Sequence, residues 1–380
     1  LDMTLRFDLT VPLSRIYAAY ANQLPSPFRR FQIAQVWRRE KAQAGRFCEF
    51  TQADGDIVGT ASMLADAEII SLIIAMMTAL DVGPFVVRFN HRKILNGLPE
   101  YAGFDRALLK SVLRTIDKID KEGPDKIRWY LTTPPTVDEL GIGLSADAVD
   151  RVMAFLTLSA VTDPAILFAE LAKVFAAVPM GMDGTAELQQ IASYLGPSTD
   201  TSPWRIDLSV ARGLDYYTGP VFETMLVQQP DFGSVMSGGR FDDLVMRFTG
   251  HRVPATGASV GVDRLFAALR QIDRIPATTY ANTQVLVANW DDEHAATRFQ
   301  LVGALRAAGL TAEIHYDAVM LRDQLAYALK RGTRFVIFAG ARELAGGVVS
   351  VKDLTKAVQV DGVPLDKLPA MIYAGLAEKV

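Results

Sequence analysis

The sequence predicts an α/β chain built in two parts, and three observations carry that reading. Two alternating runs, Phe31–Trp37 and Phe47–Asp54, are joined by a short polar loop containing Gly45, which is the grammar of an antiparallel hairpin. From Asp105 to about Leu195 the periodicity turns helical, with breaks at Gly123-Pro124 and Pro134-Pro135, so this stretch reads as a helical insertion. Beyond Thr279 strand-like and helix-like segments alternate, the pattern of a small α/β domain with a largely parallel sheet. The boundaries that follow are 1–104 for the first part of a core, 105–197 for the insertion, 198–274 for the second part of the core, and 282–380 for the terminal domain.

Taken in order, Leu5–Pro12 opens as a short strand, and Pro12 then stands near the first turn of a helix running Leu13–Ala21, a position proline tolerates. Pro25 and Pro27, with Arg29 and Arg30 after them, suggest a turn with surface charges. After the hairpin, Ala61–Leu80 is a long apolar helix, Phe85–Asn90 a strand and His91–Leu98 a short helix. Strands dominate again from Trp204 to Phe248, and Gly257–Gly261 leads into a helix, Val262–Gln271. In the terminal domain the expected elements are strands 284–288, 311–314, 335–339 and 348–353, with helices 291–308 and 321–330.

Bulk properties narrow the function classes. The chain has 380 residues, half of them hydrophobic, enough for two or three domains. A net charge of −4 argues against a generic polyanion binder and leaves room for one that confines its basic groups to a cleft. The single cysteine, Cys48, excludes a disulfide framework or a cysteine-based zinc site within the chain and fits a reducing, cytoplasmic setting. No apolar run reaches the roughly 18 residues of a membrane span. The four histidines are scattered without metal-ligand spacing. The chain opens at Leu1 inside an expected strand, which suggests that a natural N-terminus lies upstream.

The chemistry concentrates in Arg212-Gly213-Leu214-Asp215-Tyr216-Tyr217-Thr218-Gly219, where a core strand would carry apolar side chains. Glycines admit a ligand close to the backbone, and an arginine with two phenols supplies a fixed charge and polar-tipped rings. If both tyrosines sat on a strand they would face opposite sides, so one would pack in the core. Arg38, Arg46, Arg212 and Arg264 flank the strand-rich parts, and guanidinium forks match phosphate oxygens. Acids accompany them at Asp8, Glu40, Glu49, Asp56 and Asp215, which suits a substrate carrying an amino group or a cationic ring. Together these point to ATP and an amino acid.

On these residues the chain resembles histidyl-tRNA synthetase, a class II aminoacyl-tRNA synthetase. Arg38-Arg39-Glu40, the loop after it and Phe50 look like motif 2 of that class, and Gly257–Leu265 looks like motif 3. Arg212–Gly219 and Ser237–Asp242 look like the two histidine signatures, and the likeness runs to about Thr355 without a motif 1. The resemblance implies a class II antiparallel sheet flanked by helices, a helical insertion and a small C-terminal anticodon-binding domain. It implies a homodimer that joins histidine to tRNA(His) through histidyl-adenylate, using ATP and Mg²⁺. Arg38 would hold the α-phosphate and the histidine carboxylate, and Glu40 would face the adenine. Phe50 would stack on the base, with Arg264 on the other face or near the γ-phosphate, and Arg46 would meet the β- and γ-phosphates. Arg212 would stabilise the α-phosphate during attack. Asp8 and Thr10 would bind the α-amino group with Gln52 beside it, while Asp56, Tyr216 and Tyr217 would read the imidazole.

Several departures and alternatives stand beside this. Cys48 occupies a place where the family usually has an arginine, and Phe241 one where tyrosine is common. Phe50 as plain core, Asp54 and Glu49 as structural or solvated, and Asp215 as a loop anchor are the bland readings. Arg322, Lys330, Arg331 and Arg334 could meet an anticodon stem or solvent. The alternative function is a catalytically inactive paralogue, either a regulatory subunit of histidine biosynthesis or a sensor of uncharged tRNA.

Overall fold

The structure is a computed structural model that describes residues 3–39, 45–135, 141–197, 199, 201–211, 216–275 and 283–377. By contacts the chain divides into two compact units, residues 1–275 and 276–380.

The first unit is built on a seven-stranded sheet. Its strands are β1 (Phe28–Trp37), β2 (Glu49–Val58), β3 (Phe85–His91), β4 (Trp204–Ile206), β5 (Pro220–Leu226), β6 (Met236–Arg240) and β7 (Ala255–Gly261). They lie in the order β1-β2-β7-β6-β5-β3-β4, every neighbouring pair antiparallel except β3 with β4. The expected hairpin forms from Phe28 opposite Val58 to Trp37 opposite Glu49. It starts earlier than the alternation suggested, so Arg29 and Arg30 belong to a strand and not to a turn. Their side chains therefore part: Arg29 pairs with Glu68 on the exposed side and Arg30 turns inward.

Helix Met63–Ala79 lies on this sheet. Ser62 caps it by accepting from the Leu64 N–H at 3.2 Å, and Ile69, Ile70, Ile73 and Met77 are fully or almost fully buried. Each such side chain contributes about 1.5–3 kcal/mol by leaving water. Among the described residues of 109–195, five α-helices make up the expected helical insertion, and their apolar faces join the same core as the sheet.

The opening strand is not there. Residues 3–9 form no strand, and the first helix runs Thr10–Tyr20, ahead of its expected start. Proline at its third position leaves no N–H to satisfy, and Asp8 Oδ1 accepts from the Val11 N–H at 3.0 Å. Leu9, expected in that strand, caps this helix instead, and it and Leu13 are both buried. What remains of strand character is the Trp37 N–H to Arg6 carbonyl bond at 2.9 Å.

The second unit carries a five-stranded sheet of β8 (Val285–Val287), β9 (Ala312–Ile314), β10 (Phe335–Phe338), β11 (Val348–Asp353) and β12 (Val358–Pro364), in the order β12-β11-β10-β8-β9. β8 pairs in parallel with β9 and β10, while β10–β11 and β11–β12 are antiparallel. The sheet is therefore mixed and not largely parallel. The connection before β11, which holds only the short helix Ala341–Ala345, and the turn before β12 both fall short of the dozen or so residues that a parallel crossover takes. β12 escaped notice because nearly all of it is exposed, so burial imposes no apolar pattern on it.

Candidate active site

One cavity of about 810 Å³ opens on the sheet of the first unit, floored by residues of β2, β5, β6 and β7. Among the described residues singled out from the sequence, Asp8, Thr10, Arg38, Arg46, Phe50, Gln52, Asp56, Tyr216, Tyr217 and Arg264 all line it. Glu40, Arg212 and Asp215 lie outside the described residues.

β2 supplies the floor by simple periodicity. Phe50, Gln52, Asp54 and Asp56 are alternate residues of one strand, so they project to one face, and all four line the cavity. Gly257 of β7 stands opposite Asp56 in register, and a Cβ there would drive into the Asp56 carboxylate. Gly239 of β6 plays the same part for Tyr217, whose ring lies 2.9 Å from where a Cβ would sit.

The carboxylates are buried. Arg30, its side chain only 10% exposed, reaches Asp56 Oδ2 at 2.9 Å and also donates to the Gln32 side chain and the Leu9 carbonyl. Burial nevertheless pushes the Asp56 carboxyl up to about 7, with Arg30 pulling it down and Asp54 adding to the rise. Burial also raises Asp54, against a hydrogen bond with Ser259 and the charge of Arg30. Asp54 is buried and so not solvated, and Arg30, expected as a surface charge, is instead largely buried against Asp56. Glu49, by contrast, is exposed.

Arg38 leaves the end of β1 between two rings, its guanidinium carbon 4.5 Å from the Phe7 centroid and 5.1 Å from that of Phe50. Its Nε donates to the Phe7 carbonyl at 3.1 Å and a terminal nitrogen reaches Gln52 Oε1 at 3.5 Å, while Gln52 donates to Ser259 Oγ at 2.6 Å. Phe50 is half-buried on the cavity and is not core. Across the floor, Arg264 lies 5.3 Å from the Phe232 ring centroid and donates to the Phe232 carbonyl. The neighbouring Asp263 accepts from the Thr51 N–H at 2.7 Å and ties this helix to β2.

Tyr216 and Tyr217 are not on a strand. They sit in the turn ahead of β5, their ring centroids 4.6 Å apart, and both line the cavity. The opposite-face argument thus does not apply, because two-residue alternation holds only for extended chain. Burial, with the neighbouring phenol and acids, raises the Tyr217 hydroxyl well above its ordinary value and keeps it a proton donor.

Arg240, in the second glycine-rich segment, braces the sheet. It is buried and grips Asp66 of helix Met63–Ala79 together with the Thr60 and Ser62 carbonyls. Phe241 is buried beside the tyrosines and brings no hydroxyl to the cavity wall it helps form. Cys48 is exposed and is not among the lining residues.

A second group of cations escaped the sequence reading. Arg114, Lys118 and Lys121, with Asp117, line the same cavity from the helical insertion. Lys118 precedes helix Ile119–Thr132 and Lys121 stands in its first turn, where positive charge opposes the helix dipole. No local pattern marks their approach to the cavity, which rests on a contact with β3.

Comparisons with known proteins place the chain in a family. The family described as Histidyl-tRNA synthetase matches residues 2–265, and one described as Anticodon binding domain matches residues 284–374. The chain is 44% identical over 378 residues to the histidine–tRNA ligase of Ruegeria pomeroyi, covering 94% of this chain and 75% of that one. It is 43% identical over 371 residues to that of Caulobacter vibrioides, covering 93% and 74%. Among solved structures, histidyl-tRNA synthetase from Nostoc sp. PCC 7120 superposes with a TM-score of 0.81 at 30% identity, over 99% of this chain and 85% of that one. An ATP phosphoribosyltransferase regulatory subunit/histidyl-tRNA synthetase from Bacillus halodurans C shares the fold, with a TM-score of 0.66 at 23% identity over 88% and 79%.

Proposed function

The chain belongs to the histidyl-tRNA synthetase family, and from that premise we infer that it is a histidine–tRNA ligase whose reaction runs in the cavity of its first unit. The observation that carries the assignment of the site is the convergence of ten residues, from five separate stretches of sequence, on one cavity.

Histidine and ATP, the latter as its magnesium complex, occupy that cavity. A carboxylate oxygen of histidine attacks the α-phosphorus in line, the bond to the bridging oxygen breaks, and pyrophosphate leaves. The terminal ribose hydroxyl of the tRNA then attacks the acyl carbon, loses its proton, and AMP departs. Positioning and fixed charge supply the catalysis. Arg38, held between Phe7 and Phe50, meets the α-phosphate and the histidine carboxylate. Phe50 stacks on the adenine that Glu40 faces, and Arg46 and Arg264 take the outer phosphates. Asp8 and Thr10 hold the α-amino group beside Gln52. Asp56 and Tyr217, with Tyr216 against it, read the imidazole: a buried acceptor and a phenol that stays protonated leave any analogue without ring nitrogens facing unpaired polar groups. These features support the reading of a class II synthetase site. The direct test is charging: the protein with ATP is expected to attach histidine to tRNA(His), and failure to charge with ATP and histidine both bound would refute the reading.

Asp56 gives this proposal a pH signature. Its carboxyl is ionised above about 7 and protonated below, so the charged acceptor for the imidazole N–H gives way to a weaker, neutral one as pH falls through that value. The KM for histidine in pyrophosphate exchange should rise about tenfold between pH 8 and pH 6, one pKa unit corresponding to a factor of ten. Asp56→Asn should remove that component, leaving only the titration of the imidazole itself. An unchanged profile in the variant would remove Asp56 from the imidazole subsite.

The second unit takes the anticodon. Of the cations considered there, Arg334 is held by Asp353 at 3.0 Å, whereas Arg322, its side chain 87% exposed, meets only the neighbouring and likewise exposed Asp323 at 3.5 Å and can turn to RNA. The active form is a homodimer. The outer face of edge strand β1 exposes Phe31 at 83% and Ile33 at 65%, an apolar surface suited to a second copy. Sedimentation should return twice the chain mass, and Phe31→Asp should shift it to monomer; a monomeric parent protein would contradict this. The setting is cytoplasmic, where ATP and tRNA are available. Among the described residues no helix is long and apolar enough to cross a membrane.

A further inference from the structure

Sheet order sets two groups of cations on different sides of one cavity. Arg38 and Arg46 come from the β1–β2 hairpin at one end of the sheet, and Arg264 from the helix after β7. Arg114, Lys118 and Lys121 come from the insertion, which is tied to β3 near the other end. That tie is a fork: Arg88 of β3 donates to Asp120 Oδ1 at 3.1 Å and Oδ2 at 2.6 Å. Arg88 is buried and also bonded to Asp207 at 3.2 Å and to Glu223, so its charge is already met within the sheet. Asp120 adds orientation to a guanidinium that needs no further neutralising partner.

Asp120 lies between Lys118 and Lys121. The helix they open breaks at Gly123, whose φ of 78° and ψ of 164° are not helical, so Ile119–Glu122 amounts to about one turn. One turn cannot hold its own direction in water. The Arg88 fork fixes it, and the Tyr130 ring, 4.8 Å from Lys118 Nζ, supports the lysine.

We infer that Asp120, gripped by Arg88, is a positioning residue for the transfer step, aiming the Arg114, Lys118 and Lys121 wall at the phosphates of the tRNA acceptor strand. The inference rests on the ligase reading above. The outer phosphates of ATP have Arg46 and Arg264 on the other side of the cavity. The second polyanion that must enter in the same reaction is the 3′ strand of the tRNA.

The test is Asp120→Asn in the full chain, with a tRNA(His) transcript and two assays. Removing a negative charge beside the cavity would, by long-range electrostatics alone, tighten tRNA binding. Loss of aim predicts the reverse: a KM for tRNA about tenfold higher, with histidine-dependent pyrophosphate exchange changed less than threefold. Lys118→Gln with Lys121→Gln should raise the same KM and flatten its salt dependence, by roughly 0.7 in log–log slope for each phosphate that is no longer neutralised. An unchanged or lower tRNA KM in Asp120→Asn overturns the inference and leaves the ligase reading standing. Equal loss in both assays overturns it too, because the effect would then lie in the shared scaffold. Absence of exchange in the parent protein would remove the reading on which the inference rests.

Discussion

Replacing Arg212 with alanine is expected to slow adenylate formation about a thousandfold while histidine affinity changes only a few fold. Removing one preorganised donor from a developing oxyanion costs about 10²–10³ in rate, and a full guanidinium charge belongs at the upper end. Arg212 lies outside the described residues, but Ala211 and Tyr216, on either side of the segment, both line the cavity. Arg212 is proposed to act on the phosphorane-like transition state and not on bound histidine, so kcat of pyrophosphate exchange should fall while KM for histidine holds. Exchange that survives the substitution would show that another group carries the α-phosphate.

Arg38→Ala should also cost about three orders of magnitude, now in kcat/KM for both ATP and histidine. Arg38 is proposed to touch both substrates, and its aim depends on the Phe7 carbonyl, the Gln52 amide and the two flanking rings. Charge-assisted hydrogen bonds contribute about 1.5–3 kcal/mol each, so losing two accounts for about that factor. Lysine should recover little, since a single ammonium cannot keep the stacking and the fork together. A loss confined to ATP, with histidine parameters unchanged, would take the carboxylate away from Arg38.

Where local rules decide the outcome, the sequence was a good guide. The hairpin of β1 and β2 was legible from alternation alone, helix Val262–Gln271 begins and ends where its pattern does, and β11 has its expected bounds. The site was legible where a residue type is out of place, as with two phenols between glycines. Errors came where one rule was carried past its range. Tyr216 and Tyr217 were given strand geometry although two glycines and an arginine surround them. Arg29 and Arg30 were taken together as turn residues although an extended chain sends neighbours to opposite faces, and only Arg30 meets Asp56. Asp54 was read as structural or solvated, and the packing of β1, β2 and β7 buries it. The cations of the insertion were invisible for a different reason. Their approach to the cavity depends on Arg88 finding Asp120 across 32 residues, a pairing that no local pattern records.

The central claim is that this cavity activates histidine with ATP, and histidine-dependent ATP–pyrophosphate exchange tests it most directly. The account predicts exchange that requires histidine, is not supported by other amino acids, and collapses in Arg212→Ala and Arg38→Ala. Histidine binding without exchange in the unaltered protein would contradict it and would favour an inactive relative that senses its ligands without joining them.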